Sequence, residues 1–450
     1  MRIRYIAEMV NIDVDTISEH GKQQARRAFV DTIGVCFPGL HSDLYQSLIR
    51  FSDLLAEGTI PVPRLDRPLT DRDAAIFWGA LAHAIDYDDS CPALCGHPSV
   101  VLITVSIVCA AQLNMRGKDA LEAYICGYEA MNRMAVNAAK EQYATGWHTT
   151  TTIGIFGGVV AACRMYGCSV KETENAMGIA ASMAAGIQYN FGSMTKPLHP
   201  GFTSQNAILA TQLAKNGIDA SPRVFLDNGL SYFGCYGGSI KEVPSERRFI
   251  EEGITVKPYP SCGCTTRTNY MAVTAFNDGI HAEDIARVDC RICTIDENCL
   301  SYHQPTKGSE AKFSLEYGIA RCLLYGKVGL NDFIDENVLA NTTDGLTKDL
   351  MEKIHYTIPE DLKNRPFYEA YNDMEITLKN GKKHLYHVED PLGFPGNPMS
   401  DKDIYNKFLD CAQTEINLID AETLYQMLIH IDEQESIAAI LQFMCNIIRN

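Results

Sequence analysis

WGALAHAIDYDDSCPALCGHPS, residues 78–99, connects two apolar helical patterns through a short stretch rich in ionisable side chains. His83 and Asp86 lie three residues apart, on the stripe beside the apolar face of the first pattern. His97 and Pro98 open the second pattern, because proline is tolerated in the first turn of a helix. Polar groups gathered between two apolar helices predict a pocket.

Some residues of this segment also have an ordinary structural interpretation. We interpret His83 as a packing histidine of the first helix. Asp88 and Asp89 fit solvated charges at a helix end as well as they fit functional groups. The density of ionisable groups beside buried-looking helices favours a function for Asp86, Ser90 and His97.

Composition limits the classes of function. A chain of 450 residues with 46% hydrophobic and 21% charged residues has the composition of a soluble globular protein of two or three domains. The net charge of −17, with no run of Lys and Arg, argues against nucleic acid as a partner. An acidic protein still binds a small anion where a few cations converge in a cleft.

Secretion and membrane insertion are not expected. Glu8 and Asp13 interrupt any apolar segment near the start of the chain, so no signal peptide is predicted. The longest apolar run, residues 100–113, is too short to span a bilayer. We therefore expect a cytoplasmic protein whose 16 cysteines are reduced thiols.

A metal site is not predicted. A structural zinc site usually needs two paired cysteine knuckles on loops or turns, and one Cys-x-x-Cys pair inside a strand pattern does not provide them. The spacings considered are Cys290-x-x-Cys293, Cys262-x-Cys264 and Cys91-x-x-x-Cys95-x-His97.

Periodicity divides the chain into three stretches. Residues 1–254 show one helical pattern after another and no strand pattern, and residues 393–450 are helical again. Residues 255–392 mix strand and helix, with a hairpin predicted at Asn380-Gly381. The pattern therefore predicts a mainly α protein with a smaller α+β domain inserted between helical parts.

Three local features of the first stretch have specific interpretations. The glycines at 154, 157 and 158 indicate close helix packing rather than a phosphate loop, because their order is not G-x-G-x-x-G. Lys196 and His199 are predicted to lie in a turn-rich segment, GSMTKPLHPG. Glu129 and Arg133, four residues apart, are interpreted as a surface pair.

The polar residues predicted at turns supply several cations, a carboxylate and acid/base groups. These groups suit the binding of a polycarboxylate and the removal of a proton from the carbon next to one of its carboxylates. The enediolate that develops must be stabilised by cations or hydrogen-bond donors, and a base of suitable pKa must reach the C–H bond. The residues are Asp86, Ser90, His97, His148, Lys196, His199, Lys257, Cys262 and Tyr317.

Five motifs resemble those of the MmgE/PrpD family. They stand in the family's order and at about its spacings, and smaller similarities near residues 31, 127 and 397 extend the resemblance over almost the whole chain. The family includes 2-methylcitrate dehydratase, cis-aconitate decarboxylase and iminodisuccinate epimerase, so the motifs indicate a family and leave the substrate open. The motifs are HAIDYDD with HPS, GWHTT, MTKPLHPG, KPYPSC and EAKFSLEYGIA.

The resemblance implies a large all-helical domain built from both chain ends, with a smaller inserted α+β lid domain. It also implies a homodimer formed through the helical domain and the absence of a metal or organic cofactor. The roles that it implies are proton transfer by His148 or His97, orientation of a histidine by Asp86, carboxylate binding by Lys196 and Lys257, and a hydrogen bond from Tyr317 to a substrate oxygen.

Two positions depart from the decarboxylases of this family. Ser90 stands where they resemble one another in having Thr, and Cys262 stands where they have a catalytic histidine. A thiol near Lys257 favours the thiolate, which is compatible with acid/base chemistry. Both departures argue against decarboxylation.

We therefore expect a cofactor-independent hydro-lyase that acts on a small hydroxy-polycarboxylate such as 2-methylcitrate. One alternative is an epimerase or racemase of a dicarboxylate resembling iminodisuccinate, with Cys262 and His148 as the two acid/base groups. Another is a decarboxylase of an acid resembling cis-aconitate. A non-catalytic polycarboxylate-binding protein is disfavoured, because the Asp, His and Lys set is present.

Overall fold

The computed structural model describes residues 2–226, 228–244 and 246–449. It is mainly α-helical, as the periodicity predicts. The α-helices are, in chain order, α1 Arg2–Ala7, α2 Glu19–Gly34, α3 Cys36–Gly39, α4 Asp43–Ser52, α5 Asp71–His83, α6 Pro98–Gln112, α7 Gly117–Ala135, α8 Ala139–Ala144, α9 Thr149–Thr152, α10 Gly154–Met165, α11 Val170–Ala181, α12 Thr195–Lys215, α13 Tyr232–Tyr236, α14 Thr266–Asn277, α15 Thr294–Cys299, α16 Gly308–Ala311, α17 Leu315–Tyr325, α18 Asp335–Thr343, α19 Leu346–Met351, α20 Asp401–Ala412, α21 Leu418–Ile429 and α22 Ile437–Arg449.

The strands are β1 Glu57–Ile60, β2 Ile285–Arg291, β3 Ile354–Thr357, β4 Asn372–Leu378 and β5 Lys383–Val388. The last four form one sheet in the order β3-β2-β4-β5. Strand β2 is parallel to β3 and antiparallel to β4, and β4 and β5 form the hairpin predicted at Asn380-Gly381. The expectation of no strand before residue 254 was wrong in one place, because β1 is extended and bridges to Leu69.

The chain divides into two compact units. The helical unit comprises Met1–Ala84, Asp88–Thr255 and Ser400–Asn450, and the sheet unit comprises Ile85–Tyr87 and Val256–Met399.

Helix α6 is a central helix of the helical unit, with every residue from Pro98 to Ala111 buried. A helix that is apolar on all sides belongs inside a protein, and α5, α7, α10 and α12 all pack against it. The glycines permit this close packing, as predicted. A Cβ atom on Gly127 would lie 2.8 Å from the carbonyl oxygen of Gly157, and one on Gly79 would lie 2.7 Å from the Cα of Gly201.

The sheet unit has its own hydrophobic core. Alternate residues of β4, among them Met374 and Ile376, are fully buried, and Val288 and Cys290 of β2 share that core. Helices α14 and α17 pack together and contribute Met271 and further residues to it. The alternation of buried and partly exposed positions along β4 is typical of a sheet with one buried face.

The prediction that Lys196 and His199 lie in a turn-rich segment was wrong. Both lie in the first two turns of α12, which runs without interruption past Pro200. Pro197 falls in the first turn, where a missing N–H has no cost, and Pro200 lacks only the bond to the carbonyl of Lys196. Two prolines that suggest a turn in the sequence are therefore tolerated near the start of a long helix.

The interpretation of Glu129 and Arg133 as a surface pair was also wrong. The two side chains are completely buried and lie 3.0 Å apart, Arg133 Nη1 to Glu129 Oε2. Glu129 also accepts from the backbone N–H of Ile250, and Arg133 donates to the carbonyl of Arg247. The pair thus ties α7 to the segment 247–250.

In the described part of the chain, the structure contains no helix with both the length and the apolar character needed to cross a membrane.

Candidate active site

The helical unit contains a buried carboxylate shared by two histidines. Asp88 Oδ1 and Oδ2 lie 2.9 and 3.0 Å from His83 Nδ1, and Asp88 Oδ2 lies 3.1 Å from His97 Nδ1. The side chains of Asp88 and His83 are completely buried, whereas 12% of the His97 side chain is exposed. His83 ends α5 and His97 immediately precedes α6, so the loop between these helices brings the three groups together.

The charge of this group is set by burial and by the hydrogen bonds. Burial lowers the pKa of His83 to about 4, although Asp88 raises it, so the ring is neutral at pH 7. Burial by itself would raise the pKa of Asp88, but contacts with His83 and His97 outweigh it and hold the pKa well below the usual value. The ionised carboxylate accepts from Nδ1–H of His83, which leaves Nε2 of that ring as the proton acceptor, and it lies at ion-pair distance from Nδ1 of His97.

His83 Nε2 is buried and has no hydrogen-bond partner among the residues that the structure describes. A buried polar atom without a partner is uncommon and indicates a place for a ligand or water. His83 is therefore more than the packing histidine that the sequence suggested.

A second pair of histidines lies beside this group. His148 Nδ1 and His199 Nδ1 are 3.0 Å apart, and the rings of His148 and His83 are stacked with centroids 6.0 Å apart. Burial, followed by the charge of Lys196, lowers the pKa of His148 well below its usual value and that of His199 to about 4. A hydrogen bond between two neutral Nδ1 atoms requires opposite tautomers, so one ring presents an Nε2–H donor and the other an Nε2 acceptor.

Lys196 supplies the positive charge of this region. It lies in the first turn of α12, is 5% exposed, and places Nζ 5.2 Å from the centre of the Phe191 ring. The same ring lies 5.0 Å from that of His148. Because its charge lowers the pKa of three histidines, Lys196 lies close enough to act on an anion bound beside them.

The run of four threonines, residues 149–152, fixes the two histidine-bearing loops. Thr150 Oγ1 accepts from the backbone N–H of His97 at 2.9 Å, and Thr149 Oγ1 donates to the carbonyl of Cys95 at 2.8 Å. Thr151 Oγ1 donates to the carbonyl of His148 at 2.7 Å. The helix Thr149–Thr152 is completely buried, and its hydroxyls bond to the loops instead of to solvent.

Asp89 has a structural role that differs from that of its neighbour. It accepts from the backbone N–H of Ser99 at 3.2 Å and from the Ser99 hydroxyl, which anchors the first turn of α6. Burial, followed by the charge of Asp31, raises the pKa of Asp89 well above its usual value. Their surroundings therefore shift the pKa values of these two adjacent buried aspartates in opposite directions.

Asp86 belongs to the sheet unit, where it pairs with Lys257. Lys257 Nζ donates to the Asp86 carbonyl at 2.8 Å and to Asp86 Oδ1 at 2.9 Å, and both side chains are buried. Asp86 has φ of +55°, a strained conformation for a residue with a Cβ atom. Asp88 is the carboxylate that contacts His83 and His97, and the orientation of a histidine by Asp86 stays a prediction.

The remaining predicted residues are placed as follows. The Tyr317 hydroxyl donates to the carbonyl of Asp332, and burial raises its pKa to about 12. Cys262 lies just before α14, where its thiol contacts other cysteines of the sheet unit. Ser90 pairs through its backbone with Thr255, with N···O distances of 2.8 and 3.1 Å.

His83, Asp88 and His97 also form a donor set that divalent metals accept. In this structure, however, the two Nδ1 atoms meet the carboxylate at hydrogen-bond distance. That arrangement suits orientation of imidazoles by a shared carboxylate, with Nε2 of each ring left for proton transfer.

Sequence reasoning did not select His83 and Asp88 as functional residues. The available signal was a histidine at the end of an apolar run, residues 74–82, followed five residues later by an acid in a short loop. This spacing does not by itself indicate contact. Because α5 ends at His83, Asp88 lies outside the helix, and the helical rule that residues three or four apart share a face does not apply.

Comparison with known proteins identifies the family of this chain. Residues 4–239 match the MmgE/PrpD N-terminal domain and residues 259–428 match the MmgE/PrpD C-terminal domain. Cis-aconitate decarboxylase of Mus musculus is 24% identical over 94% of this chain and 88% of its own length. The Homo sapiens enzyme of that name is 24% identical over 95% of this chain and 91% of its own length. The enzyme of that name from Aspergillus terreus is 22% identical over 96% of this chain and 94% of its own length. The two domain matches together cover most of the sequence, and the chain belongs to the MmgE/PrpD family.

Proposed function

We propose that this protein is a hydro-lyase that removes water from a small hydroxy-polycarboxylate such as 2-methylcitrate. The observation that carries the proposal is the Asp88 carboxylate shared by His83 and His97. A carboxylate beside Nδ1 of each ring supports the tautomer that leaves Nε2 as a base. Base-initiated removal of a proton next to a carboxylate is the first step that such a group supports.

His97 is the proposed base. The His97 side chain is partly exposed, whereas the His83 side chain is completely buried. A substrate therefore reaches the His97 ring first. Asp88 stabilises the imidazolium that forms, as a buried carboxylate does for a catalytic histidine. His83 serves as a positioning residue that holds Asp88 from the other side.

The departing hydroxyl needs a proton or a hydrogen-bond donor. The neutral pair of His148 and His199 presents one Nε2–H whichever tautomer each ring adopts. Lys196 is proposed to bind the carboxylate next to the reacting carbon, where its charge stabilises the enediolate. For the sheet unit we propose that Asp86, Lys257, Tyr317 and Cys262, together with Ser90 of the helical unit, serve substrate binding or proton transfer.

A decarboxylase is the second candidate, and it is favoured by the names of the relatives. Loss of carbon dioxide leaves the same kind of carbanion next to a carboxylate and requires a proton donor afterwards. We place dehydration first because Ser90 and Cys262 stand where the decarboxylases of this family resemble one another in having a threonine and a catalytic histidine.

We also propose a homodimer in the cytoplasm. Apolar side chains of the segment before and within α12 are exposed, with Tyr189 fully exposed and Ile187 and Met194 each 53% exposed. An exposed group of this kind is typical of a protein interface. Light scattering of the purified protein tests this, and a monomer at micromolar concentration would contradict it.

The experiment that tests the function compares a panel of hydroxy-polycarboxylates with cis-aconitate, using chromatography to detect unsaturated acids and bicarbonate release. We expect unsaturated product from a hydroxy acid, and His97→Asn to lower kcat by about 10²- to 10⁴-fold. The matched control is His41→Asn, because the His41 side chain is 52% exposed and lies in a surface ion pair. Bicarbonate from cis-aconitate without any dehydration would support the second candidate instead.

A further inference from the structure

Three cysteines of the sheet unit meet at one place. Cys262 precedes the short helical turn Gly263–Thr265 that contains Cys264, and Cys299 is the last residue of α15, which packs against that turn. The thiols of Cys264 and Cys299 hydrogen-bond to the Cys262 sulfur. All three are reduced and lie in or against the hydrophobic core of the sheet unit.

The three thiols differ in exposure. Cys262 and Cys299 are partly exposed, whereas Cys264 is 6% exposed. A small oxidant therefore reaches Cys262 and Cys299 before it reaches Cys264.

They also differ in acidity. Hydrogen bonds from Cys264 and Cys299 hold the pKa of Cys262 well below its usual value, and Lys257 lowers it further. Hydrogen bonds with Cys262 and Cys299 raise the pKa of Cys264 well above its usual value. A thiolate is the form that reacts with peroxide, so Cys262 is the reactive member and Cys264 the inert one.

We propose that Cys262 and Cys299 are a peroxide-sensitive pair, in which Cys262 is oxidised first and Cys299 then closes a disulfide with it. The oxidant is hydrogen peroxide or an alkyl hydroperoxide. The Cys262 thiolate attacks one peroxide oxygen, an S–O bond forms, the O–O bond breaks, and two electrons pass from sulfur to the leaving hydroxide or alkoxide. The Cys299 sulfur then attacks the sulfenic sulfur, the S–S bond forms, the S–O bond breaks, the thiol proton is lost, and water leaves.

A consequence for activity rests on the proposed function, because it requires Cys262 to take part in the reaction. A disulfide removes the Cys262 thiol from acid/base chemistry, so peroxide is expected to stop turnover and a dithiol to restore it. The covalent change itself is measured independently of turnover.

The test treats the whole purified protein with hydrogen peroxide, alkylates the remaining thiols, and reads the product by mass spectrometry. We expect the protein to lose two hydrogen atoms, and a disulfide to link the tryptic peptides 249–267 and 292–307. Cys264 and Cys293 lie on the same peptides, so fragmentation must place the bond at Cys262 and Cys299.

Variants make the assignment specific. Cys299→Ser should form no disulfide and should instead accumulate sulfenic acid at Cys262, which dimedone traps as an adduct on peptide 249–267. Cys262→Ser should form neither product. Cys235→Ser is the matched control, because Cys235 is exposed and lies in the helical unit, and it should behave as the wild type.

Several results would overturn the proposal. They are a bond between Cys262 and Cys264, a Cys299→Ser protein that still loses two hydrogen atoms, or no dimedone adduct at Cys262 in a folded Cys299→Ser variant. Circular dichroism establishes that each variant is folded. If the disulfide forms but the turnover of the wild type is unchanged, the proposed pair stands and the role of Cys262 in the reaction fails.

Discussion

Replacement by asparagine is expected to cost much more stability and turnover at Asp88 than at Asp89, although the two residues are adjacent and both are completely buried. Asp88 is held ionised by His83 and His97, whereas the pKa of Asp89 is raised well above its usual value by burial and by Asp31. Asparagine resembles a neutral carboxylic acid in shape and charge. It is therefore a close substitute for Asp89 and a poor one for Asp88.

The magnitude follows from the contacts. Asp88 accepts from Nδ1 of His83 at 2.9 Å and lies 3.1 Å from Nδ1 of His97, and asparagine retains one accepting oxygen while its NH₂ group faces the other ring. One hydrogen bond to a charged group is lost and the other is weakened, so Asp88→Asn should lower the free energy of unfolding by about 2–4 kcal/mol. In Asp89→Asn the amide oxygen accepts from the Ser99 N–H and the NH₂ group donates to its hydroxyl, with a cost of about 1 kcal/mol or less.

The effect on turnover should be larger. With the tautomer of His97 no longer fixed, Asp88→Asn should lower kcat by about 10²- to 10⁴-fold, and Asp89→Asn by less than about tenfold. Urea titration gives the free energies of unfolding, and steady-state kinetics with the substrate found by the panel gives kcat. Equal losses in the two variants, or a greater loss in Asp89→Asn, would refute the assigned charges.

Three further predictions concern other contacts. Lys257→Met leaves the buried Asp86 carboxylate without its ion pair and should cost about 3–5 kcal/mol of stability, whereas Lys383→Met, in an exposed pair, should cost less than about 1 kcal/mol in the same urea titration. Gly186→Ala should lower the free energy of unfolding by about 1–3 kcal/mol more than Gly217→Ala. Both glycines have positive φ, but only a Cβ atom at residue 186 would clash with the Thr151 side chain. Equal melting temperatures of the two variants would contradict this. His83 has a pKa of about 4 in the folded protein and about 6.5 when unfolded. Its contribution to the free energy of unfolding is therefore complete above pH 6.5, and roughly 3 kcal/mol is lost as the pH falls toward 4. Unfolding free energies that do not change over this range would contradict burial of a neutral His83.

Elements with a strong local signal were predictable from the sequence. The β4–β5 hairpin follows from Asn380-Gly381 between alternating runs, and the start of α6 follows from Pro98. The close approach of α7 and α10 follows from small residues such as Gly157. In each case a residue type with few permitted conformations or little volume decides the structure.

The failures have a common physical reason. Local sequence does not state how much of a polar side chain is buried, so Glu129 and Arg133 could be taken for a surface pair. His83 and Asp88 meet only because a loop turns back, and a spacing of five residues gives no helical signal for that contact. Pro200 suggested a turn, but α12 continues through it. The cost of one missing hydrogen bond is offset by packing that the sequence does not show.

The most direct test of the central claim is proton and carbon-13 NMR of the wild-type protein in D₂O with 2-methylcitrate. The proposed hydro-lyase predicts that the methine proton next to the carboxylate disappears and the methyl doublet becomes a singlet, because the double bond that forms carries no hydrogen, while alkene carbon signals appear without a bicarbonate signal. Deuterium at that carbon without an alkene would indicate epimerisation. An unchanged hydroxy acid, together with bicarbonate release from cis-aconitate under the same conditions, would contradict the claim that this protein is a dehydratase.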